Sequence, residues 1–391
     1  MVLDRLFVKR ILILLQFIPL SVKCFTPGPH ITALVDNRLY FMSSSQAKEL
    51  SFLDLHQSFD NSNVPWKDLT INVNLKRYNF ATTAVFNENI FFIGGKVTQP
   101  DDPFIYVLNT LNENWSFPVI SGGKPPQKSE GFQAVIFNGK IYLFVGSEID
   151  GFGRMNVLNL QTLIWEPRVD INLPHARYGY TATLIPEGLI LYIGGIFQNG
   201  TYANMNEIPI YDTLKDNWSY AIMNEVGGII PEGRQMHSAS LSSFNTIIIY
   251  GGYNNEVLSK ILVILDISNP IYSWILPITG ALKSKWGHNS IYFNSQMIVT
   301  FGFNEEVNLI LTILSNPSKT SFDLVSHFSS FTPLSMPPGL PTSSPTSTTP
   351  KYAPTYAAAS SGVVISEAIA FFWDRKSIIN WLRNKSDKDR K

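Results

Sequence analysis

Apolar and polar residues alternate in six stretches that recur along most of the chain. Each stretch holds two short apolar runs broken by Asn, Asp, Gly, Pro or Ser, which is the pattern of a β-hairpin with a tight turn. The predicted hairpins are 33–41 (ALVDNRLYF), 84–92 (AVFNENIFF), 134–143 (AVIFNGKIYL), 182–192 (ATLIPEGLILY), 239–250 (ASLSSFNTIIIY) and 291–300 (IYFNSQMIVT). A third apolar run follows each hairpin and predicts another strand.

Tryptophan, a rare residue, recurs after these hairpins at a nearly constant interval. Five tryptophans are separated by 49, 50, 53 and 56 residues, and Phe322 stands 48 residues after the last of them. They are Trp66, Trp115, Trp165, Trp218 and Trp274. In three units an Asn or Asp precedes the Trp by six residues, and we expect the Trp to open a fourth strand. A period near fifty residues marks an internal repeat.

A pair of glycines closes the hairpin in three of the six units. The pairs are Gly94-Gly95, Gly194-Gly195 and Gly251-Gly252, and degenerate versions stand at Ser44-Ser45, Val145-Gly146 and Phe301-Gly302. Glycines beside a strand hold a phosphate only where a helix N-terminus follows. A turn and a further strand are predicted after Gly195, so the sequence argues against a phosphate loop.

Six units of four short strands, none able to bury both faces alone, favour radial stacking about an axis. The predicted fold is an all-β, six-bladed β-propeller with four antiparallel strands per blade, over residues 25–329. The blades are expected at about 28–72, 77–122, 129–172, 177–226, 233–280 and 285–328. A WD-repeat propeller is disfavoured because the Trp-Asp dipeptide occurs once, at Trp373-Asp374, outside the units.

The glycine pair, the aromatic-Asp and the Trp at this period resemble the kelch repeat, over about three quarters of the chain. The resemblance implies that each glycine pair ends the second strand, where a Cβ would obstruct the backbone. It also implies that each Trp packs between neighbouring blades. The first and last units depart most from the pattern, and the sequence does not show which of them closes the ring.

Residues 1–24 have the pattern of a cleaved secretion signal: basic residues, then an apolar run, then small residues before Cys24. A signal anchor and a buried strand are the alternatives. Cys24 is the only cysteine, so cleavage after it leaves a secreted chain that core packing alone must stabilise. Residues 25–373 carry 19 basic and 26 acidic side chains, which argues against nucleic acid as a partner.

The sequence offers no catalytic or cofactor set. Kelch-like propellers include galactose oxidase, and that resemblance implies a copper site with two Tyr, two His and a Cys linked to one Tyr. The single Cys lies in the predicted signal and no two His stand close together in sequence. We therefore expect no metal, no cofactor and no catalysis. An oxidase-like extracellular enzyme and a structural adhesion or wall element remain the alternatives to a binding protein.

Basic residues beside an aromatic or His recur at the start of several units. In kelch propellers these positions lie near the axial mouth, and the resemblance implies that they grip a polar or acidic ligand there. The alternative is that they tie blades together through backbone hydrogen bonds. The candidate ligand-binding residues are Arg77, Arg177, Arg234, His237, Lys285 and His288.

Asn-x-Ser/Thr sequons predict glycans at Asn114, Asn199 and Asn217 if the chain is secreted. Asn199 is the clearest, because Trp follows each of the other two and must pack inward. Residues 330–356 are rich in Pro, Ser and Thr and predict a disordered stalk.

Residues 357–373 are apolar enough to predict a short membrane-spanning or membrane-associated helix, although they include Glu367. A basic tail follows at 374–391, as expected on the cytoplasmic side of a membrane. The sequence thus predicts a secreted or cell-surface binding protein whose partner is a protein or a glycan.

Overall fold

All secondary structure in the described residues is β. The computed structural model describes residues 30–330 apart from 44–49, 70–80, 96–102, 124–125, 127–130, 147–149, 167, 169–170, 225–228, 256–257, 281, 304–310 and 319. The predicted signal, Cys24, Arg77, the stalk beyond residue 330, the segment 357–373 and the basic tail lie outside these residues. No helix in the described ranges has the length and hydropathy needed to cross a bilayer.

The first three repeats each form a four-stranded sheet. The first contains β1 (His30–Val35), β2 (Arg38–Ser43), β3 (Leu50–Asp54) and β5 (Lys67–Asp68), with β4 (Phe59–Asp60) lying outside that sheet. The second contains β6 (Ala81–Phe86), β7 (Asn89–Gly94), β8 (Ile105–Asn109) and β9 (Trp115–Ser116). The third contains β10 (Ala134–Phe137), β11 (Lys140–Gly146), β12 (Gly153–Asn159) and β13 (Ile164–Glu166).

The fourth repeat adds a small two-stranded sheet to its main one. β14 (Arg177–Tyr178) pairs with β17 (Ile196–Phe197), and the main sheet contains β15 (Thr181–Leu184), β16 (Leu189–Ile193), β18 (Pro209–Asp212) and β19 (Asn217–Tyr220). The fifth repeat contributes β21 (Ser238–Leu241), β22 (Thr246–Tyr250), β23 (Leu262–Asp266) and β24 (Ile271–Ile275), preceded by β20 (Ile222–Met223). The sixth contributes β26 (Asn289–Phe293), β27 (Gln296–Thr300), β28 (Leu311–Ser318) and β29 (Ser321–Val325), preceded by β25 (Ile278–Thr279) and followed by β30 (His327–Phe328).

The fifth and sixth sheets have five strands, which corrects the expectation of four antiparallel strands in every blade. β20 lies parallel to the outer strand β24, and β25 lies parallel to β29. Each added strand comes from the segment that leaves the preceding repeat, so it covers the edge of the next sheet. Covering an edge removes unpaired backbone groups that would otherwise template association.

Tight turns fix the register of the inner hairpins. In the third repeat Phe137 pairs with Lys140, which leaves a two-residue turn at Asn138 and Gly139 with φ of 48° and 69°. Positive φ at both central residues matches the right-handed twist of the flanking strands and explains the Asn-Gly sequence. Asp36 and Asn87 occupy the same position in the first two hairpins, with φ of 52° in each.

The first strands of the six sheets form a closed ring around the axis. β1 contacts β6, and the contacts continue through β10, β15, β21 and β26 back to β1. The seam is held by β30, which pairs antiparallel with β4, so the end of the sixth repeat bonds to the first. This arrangement confirms the predicted all-β propeller and shows how its ends meet.

Apolar side chains fill the spaces between neighbouring sheets. Trp218 of the fourth sheet lies 5.0 Å from the ring of Phe144 in the third, measured between centroids. Trp66 of the first repeat lies 6.0 Å from Phe301 of the sixth repeat, measured between ring centroids. Each sheet therefore buries its faces only by contact with its neighbours, as expected for stacked repeats.

Candidate functional site at the mouth of the propeller

The first strands of the six main sheets, which form the ring around the axis, are called the inner strands: β1, β6, β10, β15, β21 and β26. We call the end of the propeller at which these strands begin the mouth. A chain of peptide groups crosses it: Gly179 N–H donates to Gly131 O at 3.4 Å, Met236 N–H to Gly179 O at 2.9 Å, and Gly287 N–H to Met236 O at 3.0 Å. All four residues have positive φ, between 59° and 76°. Glycine adopts this conformation without strain, which explains three of the four positions. These bonds hold the third to sixth repeats in register.

Three basic side chains predicted to bind ligand lie beneath this end of the propeller. Arg177, Arg234 and Lys285 are all buried. Nη2 of Arg177 donates to Glu207 Oε1 at 3.1 Å, and Nη1 of Arg234 donates to Gly251 O at 3.0 Å. The two guanidinium groups contact the protein itself, so a ligand at the mouth would not touch them without rearrangement.

Burial lowers the pKa of each of these cations. It lowers the pKa of Arg234 to about 10, although Glu232 opposes the shift at 3.2 Å. It lowers the pKa of Lys285 to about 8. Burying these charges destabilises the folded protein unless partners lie nearby.

Two other predicted residues, His237 and His288, join adjacent inner strands. Nε2 of His237 lies 3.1 Å from Thr181 Oγ1, and Nε2 of His288 lies 2.8 Å from Ser238 Oγ. Burial and then Arg234 lower the pKa of His237 to about 3. Burial and then Lys285 hold the pKa of His288 well below its usual value. Both rings are therefore neutral at physiological pH.

His30 also joins adjacent inner strands, at the seam between the first and sixth repeats. The sequence analysis did not single out this residue. Its Nε2 lies 3.0 Å from Thr300 Oγ1 and 3.1 Å from Asn289 Nδ2, so it joins the first repeat to the sixth. No basic residue stands three places before His30, as one does before His237 and His288. A His at the start of the inner strand, either its first residue (His30) or the residue just before it (His237 and His288), was the signal that could have identified it.

The glycine pairs pack against the next repeat at the mouth. Gly194 and Gly195 have φ of 66° and 95°, and Gly195 N–H donates to Arg234 O at 2.8 Å. A Cβ on Gly194 would lie 2.6 Å from His237 Cε1. A Cβ on Gly251 would clash with the Lys285 carbonyl oxygen and lie 2.8 Å from His288 Cε1, and a Cβ on Gly94 would lie 2.5 Å from Phe132 Cζ. Each pair follows or ends the second strand and fits only without side chains.

Aromatic rings form an arc along the mouth that the sequence analysis missed. The rings of Trp286 and Phe303 stack at 4.5 Å, and Tyr253 lies 5.9 Å from Trp286. Tyr202 interacts electrostatically with both Tyr253 and Tyr178, which extends the arc to the fourth repeat. All five are half-buried. We call Tyr178, Tyr202, Tyr253, Trp286 and Phe303 the aromatic arc.

Short antiparallel bridges position the arc. Tyr178 pairs with Ile196 in the fourth repeat, Tyr253 with Gln235 in the fifth, and Trp286 with Phe303 in the sixth. Each bridge joins the start of a repeat to the loop after its glycine pair. The rings of Phe152 and His175 also stack, with 5.2 Å between their centroids. Phe152 lies in the loop after the second strand of the third repeat, and His175 lies just before the fourth repeat.

The three predicted glycosylation sites are all exposed. Asn199 lies in the loop after Gly194-Gly195, and its Oδ1 accepts hydrogen bonds from Thr201 N at 3.0 Å and Thr201 Oγ1 at 2.7 Å. Asn114 and Asn217 stand at the outer strands, and Trp218 after Asn217 is buried. Within the described residues no three His, Cys, Asp or Glu side chains group closely enough to hold a metal ion.

These features define a kelch-type β-propeller. The chain belongs to the family described as the KLHDC2/KLHL20/DRC7 Kelch-repeats domain, whose profile matches residues 79–303. The resemblance to kelch repeats predicted from the sequence is confirmed by this match.

Relatives match over part of their length. Kelch domain-containing protein 1 of Mus musculus is 29% identical over 164 residues, 39% of this chain and 37% of that protein. Kelch domain-containing protein 3 of Homo sapiens is 24% identical over 258 residues, 60% of this chain and 65% of that protein. Host cell factor of Drosophila melanogaster is 22% identical over 244 residues, 52% of this chain and 16% of that protein. The chain therefore spans less than two thirds of the length of these relatives.

A solved structure supports the fold. The structure of YjhT superposes with a TM-score of 0.59 at 15% identity, over 78% of this chain and 100% of that one. At this identity the likeness concerns the fold alone.

Proposed function

We propose that this chain is a non-catalytic kelch-repeat binding protein that recognises a protein partner through the mouth. Membership of a kelch-repeat family supports a role in protein interaction. The observation that carries the proposal is the aromatic arc, since Tyr and Trp are enriched at the energetic centres of protein interfaces.

The geometry of the arc suits it to recognition. Its residues are half-buried, so each is held in part by packing while part of its surface stays accessible to a partner. Three repeats contribute to it, and bridges such as Trp286 to Phe303 fix the loops that carry it. A surface that is ordered before binding loses less conformational entropy when a partner docks.

The electrostatics of the mouth favour an apolar and hydrogen-bonding contact over an acidic one. Arg177 and Arg234 are buried and paired with Glu207 and Glu232. A partner that approaches the arc therefore does not contact the Arg177 and Arg234 side chains directly. This argues that Arg177 and Arg234 support the surface from beneath.

Photo-crosslinking tests the proposal at two matched positions. The full chain would carry benzoylphenylalanine in place of Phe303 on the arc or of Phe244, which stands in the β21–β22 turn at the opposite end. We expect crosslinks to a discrete protein from the first position and none from the second. Crosslinks of equal yield at both positions would overturn the assignment of the mouth.

We further propose that the protein functions in the secretory pathway, at the cell surface or outside the cell. The pattern of residues 1–24 and the exposure of the sequons at Asn114, Asn199 and Asn217 support this. The apolar segment 357–373 supports an anchored form. Glycosidase treatment and carbonate extraction of cells that express the full chain test it: sensitivity to the glycosidase is expected, and a glycan-free soluble product in the cytosol would contradict it.

A further inference from the structure

A cavity lies at the mouth where the fourth repeat meets the fifth. Its volume is about 460 Å3. Tyr202, Asn204 and Met205 from the loop after the fourth repeat's glycine pair line one side. Pro231, Gly233 and Asn254 of the fifth repeat line the other. The cavity is a shallow depression that is largely open to solvent, and its volume falls within the range of small-molecule sites.

The walls of the cavity are fixed by the backbone. Tyr202 bridges to Ile196, and Ala203 N–H donates to Gly195 O at 2.9 Å. On the opposite wall a Cβ added to Gly233 would lie 2.9 Å from both Ala203 O and Tyr202 Cβ. The glycine therefore permits the close approach of the two segments, and the cavity is a built feature of their junction.

The chemistry of the lining is uncharged. Tyr202 supplies apolar surface, whereas Met205 is buried in the core. Asn204 and Asn254 supply amide groups, of which Asn204 Oδ1 already accepts a hydrogen bond from Asn206 N–H at 2.9 Å. Burial raises the pKa of Tyr202 to about 12, so its hydroxyl stays protonated near neutral pH. The nearest buried cation, Arg234, is already held by Glu232 at 3.2 Å.

Two classes of ligand fit this lining poorly. A charged ligand would find no counter-ion among the lining residues. A wholly apolar ligand would strip water from the amides of Asn204 and Asn254 without replacing their hydrogen bonds. What remains is an uncharged molecule with one apolar face and a rim of hydroxyl groups, which describes a pyranose ring.

We propose that this cavity binds a neutral saccharide, with its C–H face against Tyr202 and its hydroxyl groups bonded to the amides of Asn204 and Asn254. The site goes beyond the protein recognition proposed above and does not depend on it. The ligand is either a free sugar or a terminal unit of a glycan chain, because both present the same ring and hydroxyl groups.

Saturation-transfer NMR on the full chain tests the site. One arm uses the free disaccharides lactose, cellobiose and N,N′-diacetylchitobiose. A second arm uses a high-mannose glycopeptide and the same peptide without its glycan, and a third uses glucuronic acid, glucosamine and a Pro-rich peptide. We expect saturable binding in the first arm or to the glycopeptide, and the arm that binds identifies the source. No saturable binding in the first two arms, or stronger binding in the third, overturns the proposal.

Variants separate the site from the rest of the mouth. Tyr202→Ala is expected to weaken saccharide binding about tenfold, and Asn204→Ala about threefold, from the loss of a packing face and of one hydrogen bond. The matched control is Tyr220→Ala, which removes an exposed tyrosine on β19 of the same repeat and should leave binding unchanged. Unchanged binding by a folded Tyr202→Ala variant would place the saccharide elsewhere and overturn the assignment.

A second variant guards against misfolding of the first. Gly233→Ala adds a Cβ against Ala203 O and Tyr202 Cβ, so it should distort the cavity while leaving the outer strands intact. We expect it to reduce saccharide binding while leaving crosslinking from position 303 in place. Equal loss of both activities would mean that the cavity has no separate role.

Discussion

Nε2 of His288 lies 2.8 Å from Oγ of Ser238, and this contact joins the inner strand of the sixth repeat to that of the fifth. His237 makes the matching contact with Thr181 one repeat earlier. A neutral imidazole suits this buried position because its Nε2 can form a hydrogen bond with a hydroxyl group without carrying charge. Histidine side chains thus link neighbouring inner strands at the mouth, so protonation of these side chains should affect the stability of the ring.

Acidification should destabilise the propeller before its carboxylates titrate. The folded-state pKa of His237, about 3, lies below the unfolded value of about 6.5, so the unfolded chain binds the proton more readily. The stabilisation is complete above pH 6.5 and is lost as the pH falls toward 3. Below pH 6 His237 should lower the free energy of unfolding by up to about 1.4 kcal/mol per pH unit, and His288, whose folded-state pKa is also held low, should add to this slope.

Urea unfolding of the full chain at pH 7.5, 6 and 5 measures this effect. His288→Gln should flatten the pH dependence, because it removes one of the titrating groups. A wild-type stability that stays constant from pH 7.5 to 5 would contradict the role assigned to the buried histidines.

Gly194→Ala should strongly destabilise the fourth blade. The residue has φ of 66°, and the added Cβ would meet the ring of His237 and the carbonyl of Arg234. We expect a loss of about 2–4 kcal/mol in the free energy of unfolding from the strained backbone and the clash. Thermal and urea denaturation measure it.

Gly200→Ala is the matched control for this prediction. Gly200 has φ of 82°, but nothing lies within 4 Å of its added Cβ and the residue is exposed. Only the cost of the backbone conformation should remain, about 1 kcal/mol. Equal losses at Gly194 and Gly200 would show that the next repeat does not press on the glycine pair.

Trp218→Ala should open a cavity between the third and fourth blades. Its ring packs within 5.4 Å of the rings of Phe144, Tyr192 and Tyr211, measured between centroids. A loss of about 3–5 kcal/mol in the free energy of unfolding is expected for an aromatic ring removed from a core. Tyr220→Ala on the same strand removes an exposed ring and should cost less than 1 kcal/mol. Similar losses for the two variants would contradict the packing described.

The seam should behave as one unit. Phe59 of β4 and Phe328 of β30 stack at 4.9 Å, and both are buried. Either change to Ala should release the end of the sixth repeat from the first, so the second change should add little. A double-mutant cycle by urea unfolding is expected to show coupling of about 1 kcal/mol or more. Strict additivity would mean that the ring closes through other contacts.

The sequence predicted the parts of the fold that each repeat encodes locally. Two-residue turns such as Asn138-Gly139, and tryptophans such as Trp218, follow from patterns within one unit. The added strands β20 and β25 were not predicted because two residues carry no readable alternation. The strand pair that closes the ring was not predicted for the same reason, since β4 and β30 are only two residues long.

The candidate site was less accessible to sequence reasoning. Basic residues recur at the same position of several repeats, which is why the sequence singled out Arg177, Arg234 and Lys285. In the structure these positions are buried. Tyr202 and Tyr253 lie in loops of different repeats, and only the closing of the ring brings them together. A surface built from loops of three repeats has no signature in any single one.

The most direct test of the central claim compares partner recovery by two double variants of the full chain. Tyr253→Ala with Trp286→Ala removes the middle of the aromatic arc, whereas Ile222→Ala with Ile271→Ala removes exposed side chains from the paired outer strands β20 and β24. Quantitative affinity purification with mass spectrometry should recover the partner crosslinked at position 303 at least tenfold less with the first variant, and at the wild-type level with the second. Undiminished recovery by a folded arc variant, or equal loss with both variants, would contradict the assignment of the mouth as the binding surface.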